Sequence, residues 1–175
     1  ELAYLAGLLH DIGEVIIAVH FPGEFEQVVE RVLDRRTTFY EAEEEVLGIN
    51  HTDFGSWLVK NWGLPDLLSH CISHHHRALD VADYRSLVSI VRLADLICLH
   101  HQLDFGYSEG EEIMSEIVAI WHSLGKWHSG LKNIDMTEFL QDFNTSIKSV
   151  KKSVEELYGG DAGEMVRPRS TGAMA

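Results

Sequence analysis

The apolar residues of this chain recur at three- and four-residue steps, and that rhythm restricts it to packed helices. Phe25, Val28, Val29, Val32 and Leu33 fall at i, i+3, i+4, i+7 and i+8, one stripe of an amphipathic helix. The pattern returns in Leu87, Val88, Val91 and Cys98, within a long helix over 84–101. It returns again in Ile113, Ile117, Ile120, Trp121 and Leu124, then in Phe139, Leu140, Phe143, Ile147, Val150, Val154 and Leu157. Shorter helices are expected up to His10, through Val15, Ile16 and Val19 to a stop near Pro22-Gly23, and around Leu67, Leu68, Cys71 and Ile72. No segment alternates with a period of two, so no strand is predicted and the fold class is all-α.

Capping signals punctuate these stripes. Thr38 and Glu41 have capping-box spacing, and Gly48 supplies the stop. Asn50 caps a helix carrying Phe54, Trp57, Leu58 and Trp62, which Gly63 ends. Pro65 suits the first turn of the next helix. Ser108 and Glu111 form a second capping box, and that helix stops at Gly125. The last helix starts near Asp135 and is closed by Gly159-Gly160. The expected organisation is a core over 1–105, a C-terminal helical extension packing on it over 106–158, and a flexible tail over 159–175.

Charge excludes some partners. Twenty-eight acidic residues against 14 basic ones leave a net charge of −14. There is no cationic surplus to neutralise a phosphate backbone, so nucleic acid is not an expected partner. An anionic membrane surface is disfavoured for the same reason. Cys71 and Cys98 each fall on an apolar stripe, which predicts free buried thiols in a reducing compartment. No signal peptide is visible, and apolar runs stay well below the roughly 18 residues of a span. The cytoplasm is the expected location. The chain opens without Met inside a helical pattern and is expected to be part of a longer protein.

The chemistry begins at His10-Asp11, which ends the apolar run Leu5-Ala6-Gly7-Leu8-Leu9. Helix neighbours point about 100° apart and rarely share a ligand. At a helix C-terminus this relaxes, and Gly13 is expected to let the chain turn away. The partial negative charge of that end favours a cation. Two readings stand: a metal grip, or a histidine capping carbonyls with Asp11 opening the next helix. Downstream come His51, His74-His75-His76 and Asp95, all ligand types for a mid-row divalent metal. Asp95 shares the stripe of Leu87, Val88, Val91 and Cys98, so it should face the core. A buried carboxylate needs a metal, a cation or a hydrogen-bond network. For His75 and His76 the alternative is an exposed polar loop, and for His51 a surface position at a helix start. His20, His70, His100, His101, His122 and His128 have no motif behind them and read as structural or solvated.

The order His-Asp, His, His-His, Asp resembles the HD superfamily of metal-dependent phosphohydrolases. The longer pattern is Leu5-Ala6-Gly7-Leu8-Leu9-His10-Asp11-Ile12-Gly13, then Glu43-Glu44-Glu45-Val46-Leu47-Gly48-Ile49-Asn50-His51, Gly55, Trp62-Gly63-Leu64-Pro65 and Ile72-Ser73-His74-His75-His76. Over roughly 1–105 it resembles the HDOD branch, a regulatory output domain of bacterial signalling proteins. The resemblance implies an HD-type helical bundle and a metal set of His10, Asp11, His51, His75, His76 and Asp95. It favours His75-His76 over His74. It implies one or two divalent ions (Fe, Mn, Zn, Ni or Mg). Asp11 would bridge them and serve catalysis, with His10 and Asp95 on one ion and His51, His75 and His76 on the other. Ions about 3.5–4 Å apart would activate water and polarise a phosphoryl oxygen.

Three departures accompany the resemblance. Related enzymes take a further histidine from upstream of the point where this chain opens. Glu14 stands where many active relatives have lysine, and Arg77-Ala78-Leu79 replaces the Gly-Tyr-Pro signature of relatives that cleave cyclic-di-GMP. The first functional expectation is therefore a signal-transduction output domain with a protein partner. The second is a metal-dependent phosphohydrolase acting on a nucleotide or other small phosphorylated ligand. The third is a metal-stabilised scaffold without turnover. A homo-oligomer is compatible with all three.

Overall fold

Local signals set the helix ends of this computed structural model, which describes residues 1–35, 37–101, 103 and 113–158. The elements are α1 (Leu2–Leu9), α2 (Ile12–His20), α3 (Pro22–Arg35), α4 (Phe39–Leu47), α5 (His51–Asn61) and α6 (Asp66–His74). A 3₁₀ turn over His75–Arg77 follows, then α7 (Arg85–His100), α8 (Ile113–Trp127), a second 3₁₀ turn over Ser129–Asn133, and α9 (Met136–Tyr158). No strand occurs among the described residues.

The Thr38 hydroxyl accepts from Glu41 N at 3.1 Å while the Glu41 carboxylate accepts from Thr38 N at 3.2 Å. Gly48 and Gly63 take φ of 71° and 70°, the left-handed region that ends a helix without steric cost. Asn50 Oδ1 accepts from Thr52 N and Asp53 N at 3.0 Å each and so caps α5. Pro65 stands one residue before α6, and α8 runs past Gly125 to Trp127. The expected Ser108–Glu111 box and the tail over 159–175 lie outside the described residues.

The main core joins α1, α6, α7 and α8 through Ala6, Leu68, Cys71, Val88, Leu96 and Ile117. A smaller cluster of Val28, Val32 and Ala42 seals α3 against α4. The extension helix α8 thus shares the core of the preceding helices, through Ile117, Ile120, Trp121 and Leu124.

Three expectations are corrected: the turn at Gly13, the burial of Cys98 and the shortness of the apolar stretches. On α5, Trp57 and Trp62 turn outward, 57% and 53% exposed, while Gly55, Ser56 and Val59 are buried. The reason is a close crossing of α2 and α5. A Cβ on Gly13 would lie 2.1 Å from His51 O, so only glycine fits there. For the same reason Gly13 does not turn the chain. It sits in the first turn of α2, and the space a side chain would need is taken by α5's backbone. Cys98 is half-buried rather than buried, because it lines a cleft; Cys71 is buried, and both are free thiols. Finally, Leu2–His20 is long and apolar enough to cross a membrane by length and composition, with mean hydropathy 1.7. Counting uninterrupted runs misses it because His10, Asp11 and Glu14 break them. The stretch divides at His10-Asp11 into two helices, α1 against α6 and α7 and α2 against α5.

Candidate metal centre

Helix termini deliver the site. His10 closes α1, Asp11 opens α2, His51 is the first residue of α5, and His75 and His76 form the turn after α6. Asp95 reaches in from the middle of α7. All six residues singled out by sequence come together. Donor atoms of Asp11, His51, His75 and His76 lie within 4.8 Å of one another, as do those of His10, Asp11 and Asp95. Asp11 belongs to both groups.

Three of the imidazoles are oriented the same way. His10 Nδ1 donates to Gly7 O at 2.8 Å and His75 Nδ1 to Ile72 O at 2.8 Å. His51 Nδ1 donates to Glu43 Oε2 at 2.6 Å, and the same oxygen takes His51 N at 2.8 Å. An acceptor on Nδ1 turns Nε2 toward a metal, the usual arrangement around ligating histidines. Nε2 of His10 and of His75 are buried and make no hydrogen bond. Yet Asp11 oxygens sit 2.9 and 3.3 Å from them, and 3.6 Å from His51 Nε2. Close but misaligned donors converging on one carboxylate are what a cation would gather.

Carboxylates dominate the electrostatics: burial opposes charge on His51, but Glu43, Asp11 and Glu14 outweigh it and push its pKa up to about 9. Burial opposes charge on His10, but Asp11 and Asp95 outweigh it and push its pKa up to about 11. Burial likewise opposes charge on Asp11, yet His10 and His75 hold its carboxyl well below the usual range. This corner calls for positive charge. Burial lowers His75, and burial, His75, His51 and Arg92 together hold His76 well below the ordinary histidine value. Both shifts favour the neutral imidazole, the form that binds metal.

His74 turns away, its Nδ1 2.9 Å from His70 O, and its ring stacks on His70. His128 bonds Ser86 Oγ, and none of His20, His70, His100, His101, His122 or His128 enters either group. A cleft of about 330 Å³ opens on the cluster. His10, Asp11, Glu14 and Asp95 line its polar side, and Phe39, Val91 and Leu99 its apolar side.

Three contributing residues were not among the site residues singled out by sequence. Glu43 is fully buried and holds His51. Arg92, also buried, donates to Asp95 Oδ2 at 2.8 Å, and Glu116 of α8 holds Arg92 through two bonds of 3.0 Å. For Arg92 a signal exists in the sequence: it lies three residues before Asp95, on the same helical face.

Comparison with known proteins places these residues in context. Residues 1–78 match the HDOD domain family. A crystal structure of an HDOD domain protein with unknown function from Geobacter sulfurreducens matches with a TM-score of 0.75 and 31% identity, over 89% of this chain and 53% of that one. An uncharacterized protein of Treponema pallidum (strain Nichols) is 26% identical over 95 residues, 54% of this chain and 18% of that protein. The chain thus spans about half of the first relative and under a fifth of the second.

Proposed function

We propose that this chain, which carries an HDOD domain over residues 1–78, is a signal-transduction output domain of the HD superfamily that binds a divalent metal. The support is the common orientation of His10, His51 and His75, with Nδ1 committed to an acceptor and Nε2 facing the shared carboxylate of Asp11. A merely structural cluster has no need of that agreement. Asp11, His51, His75 and His76 would hold one ion, and His10, Asp11 and Asp95 a second. This mixed imidazole and carboxylate set suits Fe, Mn, Zn or Ni better than Mg. A divalent cation bound there supplies Lewis-acid polarisation and lowers the pKa of water. Glu43 keeps the proton of His51 on Nδ1, and Gly7 O and Ile72 O do the same for His10 and His75. The partner is a signalling protein, met by the acidic surface.

Elemental analysis of untagged protein, purified without chelator, tests this. One or two equivalents of a transition metal per chain are expected. No metal, even after incubation with Mn²⁺, Fe²⁺, Zn²⁺ and Ni²⁺, refutes the metal reading.

The cleft favours a second reading, a phosphohydrolase acting on a nucleotide or other small phosphoester. Its volume, about 330 Å³, is at the lower end for small-ligand sites, and it opens directly on the cluster. Metal-loaded protein would then hydrolyse a member of a phosphoester panel, and Asp11→Ala would not. Bound metal without any turnover would leave the output domain, or a metal-stabilised scaffold, as the description.

A further inference from the structure

Arg92 sits against the ligand group with four of its N–H bonds placed. Nε and Nη2 donate to Glu116 Oε1 and Oε2, 3.0 Å each, and Nη1 donates to Asp95 Oδ2 at 2.8 Å and to His76 Nδ1 at 3.1 Å. A guanidinium has donors and no acceptor. His76 must therefore accept at Nδ1, and its proton lies on Nε2. That atom is 3.0 Å from His51 Nε2, and His51 gives its own proton to Glu43. Arginine only donates, which places the His76 proton on Nε2, and a carboxylate only accepts, which places a proton on His51 Nδ1. As folded, His76 presents an N–H, rather than a lone pair, to the place where Asp11, His51 and His75 converge. Among the four histidines near Asp11, it alone is turned against a metal.

We propose that Arg92 is an internal cation that competes with a metal for this group. Loading at Asp11, His51, His75 and His76 requires Arg92 to release His76. The Nε2 proton of His76 is then lost to water and Nδ1 takes one up, with no net change in charge. Arg92 acts through His76 and is a positioning residue. This rests on the metal reading above. Since Glu116 belongs to α8, beyond the family match, metal occupancy and the α7–α8 contact become linked, and the linkage is reciprocal.

The test starts with wild-type protein carrying ¹⁵N-histidine, with His76 assigned from a His76→Gln variant. Long-range ¹H–¹⁵N spectra of the metal-free protein should show His76 protonated on Nε2, and added Zn²⁺ should move the proton to Nδ1. In calorimetry, Arg92→Met should bind Zn²⁺ about tenfold more tightly than wild type, the equivalent of one charged hydrogen bond. Arg92→Lys, which keeps a donor, should stay near wild type. A structural arginine predicts the opposite sign, weaker binding in Arg92→Met, and that result overturns the proposal. So does a metal-free His76 already protonated on Nδ1. If Arg92→Met does not fold, the wild-type spectra decide. If neither protein takes up Zn²⁺, the metal reading itself falls. If Zn²⁺ binds at His51 and His75 and His76 keeps its tautomer, the competition alone falls.

Discussion

Replacing Gly13 with alanine puts a methyl group 2.1 Å from His51 O and 2.9 Å from both His51 C and Gly55 N. Every obstacle is backbone, so no side chain can rotate aside. Carbon contacts settle at roughly 3.5 Å, so α2 and α5 must separate by about 1 Å or more. Overpacking of this kind costs about 1–3 kcal/mol. In a chain of this size each kcal/mol lowers Tm by about 2–4 °C. The same displacement reaches the site, because Asp11 opens α2 and His51 opens α5. Metal–ligand distances tolerate only about 0.2 Å, so Zn²⁺ binding should fall with stability. Two controls rank the effect. Gly55→Ala meets Ile72 Cγ2 and Gly13 N at 3.1 Å and should be milder. Gly7→Ala meets nothing within 4 Å and should be neutral or stabilising, since alanine favours helix by about 1 kcal/mol. Thermal unfolding by circular dichroism in chelator, paired with Zn²⁺ calorimetry, reads both consequences. Gly13→Ala melting together with wild type and Gly7→Ala would refute the close-crossing account.

Asp11→Ala removes the carboxylate common to both ligand groups and should abolish metal uptake in elemental analysis; retained metal would place the site elsewhere. Glu43→Gln leaves an oxygen for His51 but removes the charge behind it. Metal affinity should drop about 10–100-fold in calorimetry, and an unchanged value would reduce Glu43 to a packing residue. Asn50→Ala strips the cap from Thr52 N and Asp53 N and should cost about 1–2 kcal/mol, read from the denaturant midpoint. An unshifted midpoint would mean that the α5 terminus is held by other contacts.

The parts of the fold legible in sequence were those decided within one helical turn. Thr38 with Glu41, Asn50, Gly48 and Gly63 specify helix ends through local hydrogen bonds and backbone conformation. What the sequence did not reveal depends on which helix lies opposite. Trp57 of α5 and Trp62 just after it are exposed, because close backbone contact with α2 reserves the inward face of α5 for residues such as Gly55 and Ser56. The six ligand-type residues were legible because each sits at a helix end or on an apolar stripe, where a polar side chain needs a reason. Glu43 was hidden inside the run Glu43-Glu44-Glu45, which resembles a solvated face until α5 packs over one of the three. The Arg92–Glu116 pair joins residues 24 apart in sequence and is visible only in three dimensions.

Diffraction from Zn²⁺-soaked crystals, collected on both sides of the zinc absorption edge, tests the metal claim most directly. The account predicts an anomalous peak within coordinating distance of Asp11, His51 and His75. Full Zn²⁺ occupancy elsewhere, such as at His100-His101, with none beside Asp11, would contradict it.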